Sequence, residues 1–209
     1  MEWYLLSFIA GYTVGSIPTA FLVVHWKSRI DIRAAGSGNV GTLNSYEVTG
    51  SKGVALMVLC ADLAKGAIAV WAVSLMPEPG FSITATGAVA AVVGHNYPVW
   101  LRFHGGRGLA PAAGASLLVC WPLVPFWMTL WPAGYLLTRE ENVANAVSSI
   151  LTILFVLTIP GDWITALLPG VSPASVRLYV ILLMVMILLR LFQPVREYIE
   201  GLRKRGNSP

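Results

Sequence analysis

The sequence predicts an all-α, polytopic membrane protein of about seven transmembrane helices, and three observations predict it. Of 209 residues, 56% are hydrophobic and only 11% charged, against roughly 25% charged in soluble domains. Apolar runs cover residues 4–25, 53–76, 81–101, 109–119, 121–137, 145–168 and 176–192, several of them near the ~20 residues that span a bilayer. The basic residues divide unevenly between the loops. Lys27, Arg29, Arg33 and Lys52 flank the first loop, Arg102 and Arg107 lie in the third and Arg139 in the fifth, and Arg196, Arg203, Lys204 and Arg205 follow the last run. Arg177 stands alone on the other side. Because cytoplasmic loops carry the excess of Lys and Arg, this distribution puts the N-terminus outside and the tail in the cytoplasm. An odd number of spans is required.

The first run bears Glu2 and no basic residue ahead of it, so it reads as a retained span and not as a cleavable signal. It ends in "GSIP" and His25, a residue suited to the interface. The second holds Asp62 and Lys65, three positions apart and so on one helical face, where unpaired charge is costly. They read either as a structural ion pair or with Lys65 reaching for a phosphate. The third closes in "GHNYP", whose His95 reads as a hydrogen-bonded packing or capping residue ahead of a base. The fourth is short and glycine-rich, which a membrane tolerates only against protein or a wet cavity. The fifth follows a Trp121-Pro122 break. The sixth and seventh are long, and a basic tail at 193–209 completes one membrane domain over residues 1–209. Cys60 and Cys120 fall in or near spans and read as small apolar packing residues. The net charge of +4 is mostly this topological signal, with some affinity for anionic lipid. Nothing calls for nucleic acid, for a cofactor or for an obligate protein partner, and no ligand spacing calls for a metal.

Two glycine-rich loops fall on the predicted cytoplasmic side: "RAAGSGNVGTLN" at 33–44 and "FHGGRG" at 103–108. Glycines let successive N–H groups turn toward one point, which suits a phosphate or carboxylate oxygen. Arg107 adds a forked, permanently charged donor, and His104 borders the same turn. Tight turns alone would also account for glycines, but two such loops with polar side chains on one face point to an anion site.

With "GSIP" at 15–18, "GSGNVGTLN" at 36–44, "DLAKG" at 62–66, "GHNYPVWLRFHGGRGLA" at 94–110 and "REYI" at 196–199, the chain resembles the bacterial membrane glycerol-3-phosphate acyltransferases that use acyl phosphate, the PlsY family. The resemblance implies a multi-pass protein of the bacterial cytoplasmic membrane with a cytoplasmic active site. It implies transfer of an acyl group from acyl phosphate to the 1-hydroxyl of glycerol 3-phosphate, giving lysophosphatidic acid, in the company of membrane lipids. The donor is an activated mixed anhydride, so positioning and charge suffice without a covalent nucleophile. By motif, Ser37, Asn39 and Arg107 would be catalytic. Gly36, Gly38, Asn44, Lys65, His95, His104, Gly105, Gly106, Gly108 and Arg196 would bind substrate or phosphate.

The chain departs from the family pattern at several of these places. Arg107 replaces a lysine, and Glu47 stands where the family has a basic residue. Glu140 and Glu141 occupy the third motif, where Asn145 or Ser148 would replace a serine. Val195 and Tyr198 replace a histidine and an asparagine near the C-terminus. Three readings follow from the departures: a rearranged site for the same reaction, a less anionic acceptor, or a non-catalytic protein that binds or translocates lipid.

Overall fold

The computed structural model describes residues 1–77 and 79–206. Of the predicted tail, residues 207–209 lie outside the described residues, and only the backbone of Arg205 is included. The structure is all helical, with ten α-helices among the described residues: α1 Glu2–Gly15, α2 Thr19–Ser28, α3 Thr42–Thr49, α4 Lys52–Ser74, α5 Phe81–Asn96, α6 Leu109–Val119, α7 Leu123–Thr138, α8 Glu141–Thr158, α9 Gly161–Leu167 and α10 Pro173–Gly206.

The predicted runs are recovered as helices, with two internal breaks that hydropathy does not show. Pro18 divides the first run into α1 and α2, and Ile159-Pro160 divides the sixth into α8 and α9. Proline lacks the N–H that would continue the ladder, and it turns the preceding residue away from helical backbone. Four stretches are long and apolar enough to cross a bilayer: Glu2–Ser28, Lys52–Ser74, Glu141–Thr158 and Pro173–Lys204. Helices α5, α6 and α7 have 16, 11 and 16 residues. At 1.5 Å per residue the longest of these spans about 24 Å, short of the ~30 Å hydrocarbon layer. These four stretches are therefore what the structure supplies toward the expected seven spans.

Which side chains face inward also marks a membrane protein. Leu5, Ile9, Leu56, Leu117, Leu154, Leu189 and Phe192 are exposed, whereas Ser7, Ser16, Ser148, Ser149 and Thr152 are buried. Cys60 is among the exposed residues and is not packed; Cys120 is buried. Small residues let helix backbones meet where lipid supplies no hydrophobic drive. A Cβ at Gly11 would strike the Gly87 carbonyl, and one at Gly15 the Ala91 carbonyl, so α1 lies directly on α5. In the same way Gly66 and Gly114 press α4 onto α6 through the Pro111 and Leu63 carbonyls. Helices α7, α8 and α10 complete the bundle around a core that includes Val92, Leu183, Ile187 and Leu191. Arg177, in the first turns of α10, caps α8 by donating to the carbonyls of Val156 at 3.1 Å and Ile159 at 2.8 Å.

Candidate functional site: a cavity with a polar end and an apolar limb

A cavity of about 460 Å³ opens among α4, α6, α7, α8 and α10. Asn39, Thr42, Asp62, His95, Arg107 and Glu141 lie at its polar end, and Leu63, Ala113, Leu123, Trp127, Leu183 and Ile187 line the apolar limb. One space thus joins a charged group to a hydrocarbon-like channel.

The first loop is organised by Asn44, which begins the sequence motif's helix and is almost fully buried. Its Oδ1 accepts from the Ser37 N–H at 3.0 Å, and its Nδ2 lies 2.9–3.1 Å from the carbonyls of Ile32, Ala35 and Asn39. The motif predicts that Asn44 binds substrate; in the structure every polar atom of its side chain has a backbone partner. Gly36 and Gly38 take φ of 58° and 70°, left-handed backbone that glycine adopts without strain. The Gly38 N–H donates to the Ala35 carbonyl, and neither glycine lines the cavity. Ser37 is exposed and also lies off the cavity, so of the loop's expected groups the structure brings Asn39 to it. Upstream, Asp31 accepts from the Arg33 N–H and guanidinium. That hydrogen bonding holds the Asp31 carboxyl down at about 2.

The glycine turn also differs from the expected anion cradle. The Gly106 and Gly105 amides donate to the carbonyls of His95 and Asn96 at 3.1 and 3.2 Å, closing the end of α5. Their own carbonyls accept from Arg190 of α10 at 2.9 and 2.8 Å. Both glycines are needed sterically, since a Cβ would strike the His95 carbonyl at Gly105 and the His95 imidazole at Gly106. They shape the turn, and what they present to the cavity is Arg107 and Gly108 at the start of α6. Helix N-termini carry unsatisfied N–H groups and partial positive charge, which favour an anion. His104 is exposed, holds the Arg102 carbonyl at 2.7 Å and lies off the cavity.

Lys65 resolves to an ion pair. Its ammonium donates to Asp62 at 2.9 Å, to the Ile17 carbonyl at 3.0 Å and to Thr19 Oγ1 at 3.3 Å. Thr19 in turn donates to Asp62. Three donors meet three acceptors, which leaves none for a phosphate, and Lys65 does not line the cavity. His95 does reach the cavity, with Nδ1 3.6 Å from Asp62. Arg196 projects outward and pairs with Glu200 at 2.7 Å, away from the site. Val195 packs against the main core, and Tyr198 donates to the Thr138 carbonyl at the end of α7. The altered C-terminal motif therefore ties helices together here. Of the two candidates in the third motif, Asn145 lines the cavity and Ser148 is buried against the Ala144 carbonyl.

Arg107 is left as the cavity's unpaired cation among the described lining residues. Burial pushes its guanidinium down from its ordinary value, and the carboxylates of Glu140, Glu141 and Glu47 pull it back up. Glu47 thus shares one electrostatic neighbourhood with the adjacent pair Glu140 and Glu141, which lie far from it in sequence. Their proximity has no local signature. Arg190, by contrast, carried a signal in sequence: a basic residue in an apolar run.

A family model described as glycerol-3-phosphate acyltransferase matches residues 5–201. The chain belongs to the glycerol-3-phosphate acyltransferase family. It is 34% identical over 154 residues to the glycerol-3-phosphate acyltransferase of Bartonella henselae, covering 72% of each chain. Against glycerol-3-phosphate acyltransferase 2 of Moorella thermoacetica it is 37% identical over 172 residues, 82% of this chain and 87% of the relative. Two crystal structures of PlsY, an integral membrane glycerol 3-phosphate acyltransferase, superpose on it. The glycerol 3-phosphate form gives a TM-score of 0.77 at 27% identity, covering 95% of this chain and 92% of that one. The lysophosphatidic acid form gives 0.76 at 26%, with the same coverage. Membership makes this member of the acyltransferase family a membrane enzyme, in keeping with its apolar exterior.

Proposed function

We propose that the protein transfers an acyl group from an acyl phosphate to the 1-hydroxyl of glycerol 3-phosphate at the cytoplasmic face of the bacterial inner membrane. The observation that carries this reading is the single cavity that joins Arg107 and the α6 N-terminus to an apolar limb. A phosphate fits the first and an acyl chain the second. The acceptor oxygen attacks the carbonyl carbon, the bond from that carbon to the phosphate oxygen breaks, and inorganic phosphate leaves with the acceptor's proton. No side chain need carry the acyl group, because the anhydride is already activated. Arg107 and the α6 amides stabilise the charge that grows on the departing phosphate. Asn39, at the cavity, orients the reacting centre. The glycerol-3-phosphate acyltransferases that the chain resembles support the acceptor, and the polar-to-apolar lining supports the donor.

The test is phosphate release by detergent-purified protein given palmitoyl phosphate, with and without glycerol 3-phosphate. Release that depends on the acceptor and falls about 10²–10³-fold in Arg107→Ala is expected. Release without any effect of Arg107→Ala would remove Arg107 from the site.

A second reading is favoured by Glu47, Glu140 and Glu141 around Arg107, whose negative field opposes a dianionic acceptor. It gives the same donor and a less anionic alcohol as acceptor. Phosphate release with glycerol but none above it with glycerol 3-phosphate would select this reading. Headgroup-dependent lipid binding with no release from any donor would select a non-catalytic protein.

A further inference from the structure

Two tryptophans of α7 line the cavity, and the indole N–H of each is held by a side chain of α8, Trp127 by buried Ser149 and Trp131 by Asn145, which itself lines the cavity. The Trp127 indole N–H donates to Ser149 Oγ at 3.3 Å, and the Trp131 indole N–H donates to Asn145 Oδ1 at 2.8 Å. Ser149 is fully buried and itself donates to the Asn145 carbonyl at 2.8 Å, so the two anchors on α8 are linked. Positions 127 and 131 are four apart, as are 145 and 149; residues at that spacing lie one above the other on a helix face. The pairing therefore repeats along the two helices. Trp131 is further backed by Tyr135, with ring centroids 4.8 Å apart and planes 13° from parallel.

Other walls of the same cavity include Ala110 and Ala113 of α6 and Leu183 and Ile187 of α10. Helix α6 cannot retreat, because Gly66 and Gly114 already hold it against α4. Small side chains of α6 and indole rings of α7 held by hydrogen bonds thus both bound the apolar part of the cavity. Tryptophan gives such a wall a rigid, large surface with only two side-chain torsions to fix. A chain that lies straight can fill this part of the cavity, and a kink or branch must push an indole off its anchor.

We propose that the Trp127–Trp131 wall, held by Ser149 and Asn145, selects straight saturated acyl chains over kinked or mid-chain-branched ones. The proposal rests on the acyl-phosphate reading of the cavity. Trp127 and Trp131 are its specificity-determining residues, and Ser149, which does not line the cavity, is a positioning residue.

The experiment compares kcat/KM for palmitoyl phosphate with that for an equally long acyl phosphate bearing a mid-chain methyl branch. Wild type is expected to favour the straight chain by about tenfold or more, the range set by excluding one methyl group from a fitted pocket. Trp127→Ala and Ser149→Ala should bring the ratio toward one, the first by opening the cavity and the second by freeing the indole. A structural role alone would lower both substrates equally and leave the ratio unchanged, and that outcome overturns the proposal. Ser149→Ala removes only the anchoring hydroxyl and retains the indole itself, so it decides the matter if Trp127→Ala fails to fold. Thermal protection of the purified protein by straight and branched alkyl phosphonates gives the same ratio without turnover. If no acyl phosphate reacts yet protection discriminates and Ser149→Ala abolishes the discrimination, the transfer reaction is wrong and the wall stands. Equal protection by both phosphonates in wild type sinks the wall itself.

Discussion

Asn44 engages each polar atom of its side chain with backbone, holding four positions of the first loop from one buried point. Asn44→Ala would strand the Ser37 N–H and remove the Asn44 donor from the Ile32 carbonyl, while the Ala35 and Asn39 carbonyls keep the Gly38 and Gly41 amides; each group left unpaired away from water costs about 1–3 kcal/mol. A fall of several degrees in the thermal midpoint in detergent is expected, and an unchanged midpoint would mean the loop does not depend on this residue. Lys65 and Asp62 make a parallel case with a different signature. Lys65→Met leaves the buried Asp62 carboxylate without its counter-charge, a loss of about 3–5 kcal/mol for a broken buried pair. Lys65→Met combined with Asp62→Leu removes both charges and should recover most of that loss, as thermal unfolding would read. These roles were only half legible in sequence. The spacing of Asp62 and Lys65 showed a shared helix face, but Ile17 and Thr19, which take up the remaining donors of Lys65, come from the break between α1 and α2 and the start of α2. The motif containing Asn44 was visible, while its division into a residue that builds the loop and one that faces the cavity was not.

Among the elements, α6 is placed by steric contact more than by hydrogen bonds. A methyl at Gly114 meets the Leu63 carbonyl of α4, so Gly114→Ala should push the helices apart and cost about 1–3 kcal/mol, as overpacking does. Since α6 carries Gly108 and follows Arg107, activity should fall with stability. Gly201 in α10 has no atom within 4 Å of an added Cβ. Gly201→Ala should stabilise by about 0.5–1 kcal/mol through lost backbone freedom in the unfolded chain. Thermal midpoints of the two variants moving in the same direction would contradict this contact picture. At this scale hydropathy marked the helices and missed where they stop. Runs 4–25 and 145–168 both look continuous by composition, and a single Pro18 or Pro160 interrupts each of them. The shortness of α6 was foreseen from its glycines and from Trp121-Pro122.

At the scale of the whole molecule, the site is assembled from segments remote in sequence. Topological charge placed two loops on one predicted face, and the family motifs in both were plain. What sequence could not show is their mutual geometry: Ser37, His104 and Arg196 fall outside the cavity, while Glu47, Glu140 and Glu141 gather around Arg107. Pairings of that kind depend on helix crossing, which no local pattern encodes. Arg190 carries one of the longest of these dependencies, gripping two carbonyls of the glycine turn from α10. Arg190→Met should leave helical content by circular dichroism unchanged while lowering kcat/KM about tenfold or more, since small misplacements of reacting groups cost rate heavily. Equal activity in the variant would show that α5 alone fixes the turn.

That grip reaches across 84 residues of chain, and it bears on biosynthesis. While the protein is being made, the glycine turn leaves the ribosome long before its last fastening exists. A nascent chain that has inserted everything through α9 holds Arg107 and most of the cavity wall, yet still lacks Leu183, Ile187 and Arg190. The proposed site is therefore completed only once α10 has been made, and a chain interrupted before it carries the glycine turn without the grip of Arg190.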